Sequence, residues 1–251
     1  MDKKTIQEQF GAQASAYIHS QSHAKGASLK LLLEWVEPQP KWLALDIATA
    51  AGHTAFSFAP HVDHVWATDI TSEMLTIAAQ RAQELGLGNV TVEYADAEDL
   101  PYENAYFDLV TCRIAPHHFG NIGPFMNQAT RVLRPGGILA VVDNIVPSGL
   151  AGDYVNAFEK LRDPSHGRCL RMEEWLQAFQ AAGLTVLRQG MLDKQLVFEN
   201  WAARHDGIMQ SYLRAMLTGA PPAATDFLQP QTINDATTFR LQEGILIGKK
   251  Y

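Results

Sequence analysis

Three aspartates in this chain stand at or beside the ends of short apolar runs. Asp46 lies in Leu45-Asp46-Ile47, Asp69 follows His64–Thr68, and Asp96 follows Val90–Tyr94. If those runs are adjacent strands of a parallel sheet, their carboxyl ends converge on one crevice, where carboxylates accept hydrogen bonds from the hydroxyls and amino groups of a nucleoside-type ligand. After Asp46 comes Ile47-Ala48-Thr49-Ala50-Ala51-Gly52-His53, a tight small-residue turn before a helix start. Turns of this kind let a backbone approach such a ligand. Glycines are expected in this turn. Here Ala48 and Ala50 stand in two of their places and only Gly52 remains.

Two ligand classes compete for this turn. A dinucleotide needs backbone amides pressed against a pyrophosphate at a helix N-terminus, hence G-x-G-x-x-G. The turn does not supply that pattern. S-adenosylmethionine carries no phosphate and makes milder demands, so alanine is tolerable provided φ is negative at Ala48 and Ala50. The missing glycines weigh more heavily against NAD. Asp69, seventeen residues beyond Gly52, falls where a carboxylate accepts both ribose hydroxyls. Asp96, followed by Ala97, suits an adenine amino group.

The elements that must carry these residues alternate. Leu29, Leu32, Leu33 and Val36 give a helical stripe closed by Pro38 and Pro40. Strands are expected at 42–47, 64–68, 90–94, 106–112 and 138–142. Helices are expected at about 53–59, at 72–85 with Leu75, Ala78, Ala79, Ala82 and Leu85 as its stripe, and at 122–133. Arg134-Pro135-Gly136-Gly137 reads as a turn. The pattern predicts an α/β fold: a Rossmann-like, open, mostly parallel seven-stranded sheet with helices on both faces, an antiparallel last strand (about 239–247) and helical cap insertions. One domain spans 1–251. It divides into an N-terminal helical lid (1–37), a cofactor-binding core (38–145) and cap or substrate segments at 146–170 and 192–237. Between these caps a helix to Gly183 and a short strand, Leu184–Leu187, are expected.

Composition narrows the partners. The net charge of -7 gives no basic footprint for nucleic acid. No apolar run approaches the roughly 20 residues that span a bilayer, and no signal peptide is visible, so no stable membrane insertion is expected. Two cysteines, Cys112 and Cys169, make neither a disulfide framework nor a metal cluster, which fits a cytoplasmic protein. Cys112 should end a buried strand and Cys169 should be exposed. The oligomeric state is left open.

Asp46 to Gly52, Asp69, Tyr94-Ala95-Asp96-Ala97-Glu98-Asp99-Leu100-Pro101, Phe107-Asp108 and Arg131-Val132-Leu133-Arg134-Pro135-Gly136-Gly137 together resemble class I S-adenosylmethionine-dependent methyltransferases. Within them the chain looks most like the ubiquinone/menaquinone C-methyltransferase-related group of bacterial small-molecule enzymes, including members with Thr111-Cys112-Arg113 and His117-His118-Phe119. The resemblance covers about residues 10–145. It implies methyl transfer from S-adenosyl-L-methionine to a small molecule, with Asp46, Ala48 and Gly52 at the methionine end. It further implies Asp69 on the ribose, Ile70 and Met74 beside the adenine, Asp96 and Ala97 on its edge, and Arg113 beneath the cofactor. Tyr17, in the lid, would reach the cofactor's carboxylate. No metal is implied. A cofactor-binding protein without transfer activity and an NAD-dependent oxidoreductase are the alternatives.

His117 and His118 follow a strand's carboxyl end and are the candidate general bases. The plainer reading, a loop histidine bonded to backbone, is preferred, since displacement at a sulfonium carbon needs alignment and a dry site more than a base. The segment 161–168 either positions a polar substrate or forms a solvated turn. Phe198 and Trp201 read as cap core, and Asp99 and Asp108 as turn and strand-start residues.

Overall fold

The computed structural model describes residues 3–18, 26–234 and 236–251, with the backbone alone for 12–18. Strand β1 (Leu43–Ile47) lies between β2 (His64–Asp69), followed by β3 (Val90–Tyr94), and β4 (Phe107–Arg113), followed by β5 (Leu133–Ile145), all parallel. Beyond β5 come β8 (Ala236–Lys250), antiparallel to it, and β6 (Leu184–Val197), antiparallel to β8. The order β3-β2-β1-β4-β5-β8-β6 gives the seven expected strands, and a short hairpin strand β7 (Gln231–Ile233) on β8 makes eight among the described residues.

Side chains alternate across the sheet with the period of two that extended backbone imposes. On one face Leu45, Ile47, Val110, Cys112, Leu139, Val141 and Leu246 pack against α5 (Ile122–Val132) and α7 (Met172–Ala181), through Phe125, Ala129, Trp175 and Phe179. On the other, Ala44, Leu109, Ala140, Val142, Ile245 and Ile247 meet α2 (Ala27–Val36), α3 (His53–Phe58) and α4 (Ser72–Glu84), through Leu32, Phe58 and Ala78. Both faces are covered, which is why β5 reads as a continuous apolar run.

A third cluster joins Val146, Val155, Phe158, Phe198, Trp201, Leu213, Phe227 and Phe239. It is built from α6 (Leu150–Arg162), α8 (Phe198–Ala202), α9 (Gly207–Thr218), α10 (Pro222–Leu228) and the start of β8. The remaining helix, α1 (Lys3–Ile18), packs on α4. Among the described residues no helix is long and apolar enough to cross a membrane.

Several local expectations give way to tertiary pairing. Strand β6 continues through Val197 instead of stopping at Leu187, because each further residue pairs with β8. Arg134–Gly137 is not a free turn but a bulge inside β5. The pairing steps from Phe107 with Leu133 to Leu109 with Ile138, and Gly136 takes φ 83°. Helix α4 buries Met74, Ala78 and Ala82, while Ala79 and Leu85 face solvent. Cys169 is buried rather than exposed.

Candidate active site

Ligands of open parallel sheets bind outside the carboxyl ends of the strands, at the point where the strand order reverses. Here that point lies between β1 and β4, and a cavity of about 710 Å³ opens there. Of the predicted cofactor residues, Asp46, Ala48, Asp69, Ile70, Met74 and Arg113 line it, and so do His117 and His118.

The turn after β1 is held from within. Thr49 N–H donates to Thr68 O at 2.8 Å, Gly52 N–H to Thr49 O at 2.9 Å and Ala50 N–H to Asp69 Oδ2 at 2.9 Å. Satisfying these bonds forces Ala48 to φ 54° and Ala50 to φ 48°, the left-handed region rather than the expected negative φ. For an L-residue this conformation costs about 1–2 kcal/mol. Gly52, at φ 84°, holds a conformation that strains any L side chain, and a Cβ there would also displace the Phe56 ring. It shapes the turn but is not on the cavity wall.

Asp46 is buried under the turn. Its Oδ1 accepts from Thr111 Oγ1 at 2.6 Å, and its Oδ2 from Thr49 Oγ1 at 2.6 Å and Ala55 N–H at 3.2 Å. Burial pushes its carboxyl up to about 6, against the pull of these donors. Asp69 accepts a second backbone donor, Thr71 N–H, at 2.9 Å, and burial raises its carboxyl too. Arg113 donates Nε–H to Thr54 Oγ1 at 3.0 Å.

Asp96 and Ala97 line a neighbouring recess of about 40 Å³, which shares Ile6, Ala48, Ile70 and Phe119 with the main cavity. Helix α1 lies along this edge. Its Lys3 Nζ sits 2.5 Å from Asp96 and 2.9 Å from Glu98, and its Gln7 donates to Ile70 O at 2.7 Å. Tyr17 is on α1, and its side chain lies outside the described residues.

The two histidines occupy a 3-10 turn, Pro116–His118, directly after β4. His117 Nδ1 lies 2.6 Å from Asp143 Oδ1 at the end of β5. Burial drives the imidazole down to about 4 and the Asp143 carboxyl well up, both toward uncharged forms, so the short bond holds one proton between them. His118 Nδ1 lies 2.9 Å from Ser165 O, and burial lowers this ring to about 3.

The segment 161–168 is not a solvated turn. Gly167 and Arg168 donate their N–H groups to His117 O at 2.8 and 3.0 Å, and Asp163, Ser165 and His166 are buried. Arg162, Asp163 and His166 line the cavity. Gly167 is needed where it stands, since a Cβ would lie 2.8 Å from His117 O. Trp201 both belongs to the cap core and lines the cavity. Residues that pattern reading missed, among them Asn144, Glu159, Lys194, Asn200 and Arg204, also face it. Asn144 sits at a strand's carboxyl end, the one available signal. Among the described residues no group of His, Cys, Asp or Glu is placed to hold a metal ion.

An internally braced turn, acids at successive strand ends and a capped cavity at the switch point define a Rossmann-like α/β fold with its cavity where such folds bind ligands. Residues 40–183 match the family described as methyltransferase domain, and the chain belongs to that family. It is 33% identical over 201 residues to the uncharacterized methyltransferase YcgJ of Bacillus subtilis (strain 168), spanning 80% of this chain and 79% of that protein. The crystal structure of the Bacillus subtilis YcgJ protein superposes with a TM-score of 0.83 at 31% identity, over 89% of this chain and 97% of that one. The ubiquinone/menaquinone biosynthesis C-methyltransferase UbiE of Brucella anthropi is 35% identical over 112 residues, 42% of this chain and 43% of that protein. The chain is therefore a methyltransferase.

Proposed function

We propose that this methyltransferase moves a methyl group from S-adenosyl-L-methionine to a small molecule held between the sheet and the cap. The observation that carries the reading is the turn after β1. The N–H groups of Thr49, Ala50 and Gly52 are already taken by Thr68 O, Asp69 and Thr49 O. They are not available to cradle a pyrophosphate, which a dinucleotide requires. The acids and apolar side chains around the turn instead suit a phosphate-free nucleoside with a charged amino-acid end.

In this reading Asp69 holds the ribose hydroxyls, Ile70 and Met74 flank the adenine, and Asp96 and Ala97 meet its edge. Asp46, Ala48 and Arg113 stand at the amino-acid end, with Tyr17 assigned there from the lid. The cofactor supplies a methyl group made electrophilic by its sulfonium. The chain's own residues align an acceptor and exclude water, the two effects that speed a displacement of this kind. Residues 1–37 act as lid, 38–145 as cofactor core, and 146–170 with 192–237 as the substrate cap, while two buried free thiols fit a reducing, cytoplasmic setting. In a thermal-shift comparison, S-adenosylhomocysteine raises the melting temperature and NAD does not. A shift with NAD alone overturns the proposal.

A further inference from the structure

Around His118 the hydrogen-bond chemistry admits one arrangement of protons. Ser165 spends its hydroxyl hydrogen on Asp163 Oδ1, 2.5 Å away, so Ser165 Oγ is only an acceptor toward His118 Nδ1 at 3.3 Å. The other neighbour of Nδ1 is the Ser165 carbonyl, an acceptor by nature, at 2.9 Å. Nδ1 must therefore carry the hydrogen, which leaves the lone pair of a neutral ring on Nε2. The ring is kept neutral by burial, beside His117, Asp163 and Asp143. His166 is fixed in the same manner. Asn156 Oδ1 accepts from Cys169 N–H at 2.7 Å, so His166 Nε2, at 3.0 Å, is its second donor and Nδ1 is bare.

The same wall carries two further acceptors. Asn144 Oδ1 and Glu159 Oε1 are buried without a hydrogen-bond partner among the described residues, and both residues line the cavity. The charged groups there are mutually engaged. Arg204 faces Asp163 at 3.2 Å, Lys194 faces Glu243 at 3.1 Å, and Arg162 donates to Trp201 O at 3.0 Å and stacks over that ring. Glu159 has Arg162 as its leading counter-charge. Such a wall is balanced in charge and holds acceptors that a ligand's hydroxyls can satisfy.

We infer that the methyl acceptor is a neutral molecule carrying more than one hydroxyl, methylated on oxygen, with Nε2 of His118 taking the proton of the reacting O–H and Asp163 acting as a positioning residue through Ser165. This rests on the function proposed above. The O–CH3 bond forms as the S–CH3 bond of S-adenosylmethionine breaks, sulfur keeps the electron pair, and the hydroxyl proton passes to Nε2. An aliphatic amine fits poorly, since it is an ammonium at neutral pH and the carboxylates of this wall, Asp163 and Glu159, already have Arg204 and Arg162 as counter-charges. A carboxylate fits poorly as well, since Arg204 and Lys194 already face Asp163 and Glu243.

The test is long-range proton–nitrogen NMR of the histidine rings in the full chain saturated with S-adenosylhomocysteine, assigned with His117→Gln, His118→Gln and His166→Gln. His118 should show a protonated Nδ1 and a bare Nε2. Catechol should move Nε2 upfield, while benzoate and benzylamine leave it in place. Asp163→Ala should mix the two tautomers. Asp163→Asn, whose amide oxygen still accepts from Ser165, should keep the Nδ1–H form, and a fold-intact Asp163→Asn protein keeps the comparison decisive if Asp163→Ala does not fold. A protonated Nε2, no response to catechol, or an equal response to benzoate or benzylamine overturns the inference. Failure of S-adenosylhomocysteine to bind in calorimetry instead strikes the proposed function.

Discussion

The Asp69 carboxylate accepts the Ala50 N–H at 2.9 Å, a bond between residues nineteen apart that ties the end of β2 to the turn after β1. One side chain thereby both closes the turn and presents a carboxylate to the cavity. Replacing it removes a charged hydrogen-bond acceptor from each task. Asp69→Ala should weaken S-adenosylhomocysteine binding by about 1–3 kcal/mol, read by calorimetry. Unchanged affinity would remove Asp69 from the cofactor site.

Ala48 and Ala50 hold left-handed conformations, at φ 54° and 48°. Relieving that strain gains about 1–2 kcal/mol per residue, against about 0.4–1 kcal/mol lost to the freer unfolded chain that glycine brings. Ala48→Gly and Ala50→Gly should each leave stability unchanged or raise it by up to about 1.6 kcal/mol in urea titrations. A loss near 1 kcal/mol, the ordinary result of Ala→Gly within a helix, would contradict the strained turn.

Burial pushes the Asp46 carboxyl up to about 6, above the ordinary carboxyl value of 3.8. Between these values the folded chain holds a proton that the unfolded chain has released, so this group's contribution to stability is full below about pH 4 and falls as pH rises through 6. Asp46→Asn lacks that slope. The stability of the wild type relative to Asp46→Asn should therefore drop by about 1–3 kcal/mol from pH 4 to pH 7. A constant difference across that range would contradict the buried carboxyl.

How much of this was readable in the amino-acid order depends on how local the cause is. The alternation of strands and helices, the two-sided burial of β5 and the positions of Asp46 and Asp69 follow from local pattern and were legible. The sign of φ at Ala48 and Ala50 was not, because it is set by bonds to Thr68 and Asp69, which lie on another strand. Cys169 looked like an exposed loop residue, yet its N–H and carbonyl are both held by Asn156 and it is buried in the cap. Glu159 and Lys194 carry no signal at all: one is a helical position and one a strand position, and only the packing of the cap brings both to the cavity.

Lys3 bridges Asp96 and Glu98 from the lid helix, with almost half of its side chain exposed. Exposed ion pairs contribute up to about 1 kcal/mol and weaken in salt. Lys3→Ala should thus leave the melting temperature nearly unchanged but speed the dissociation of S-adenosylhomocysteine, as stopped-flow measurements would show, and high salt should reproduce the effect in the wild type. Equal dissociation rates would mean that α1 does not retain the cofactor.

If the turn after β1 receives a phosphate-free nucleoside, calorimetry on the unmodified chain will separate two ligands. S-adenosylhomocysteine should bind one to one while NAD gives no heat under the same conditions. Binding of NAD in place of S-adenosylhomocysteine, or no binding of S-adenosylhomocysteine at tens of micromolar, would rule out a phosphate-free nucleoside at this turn.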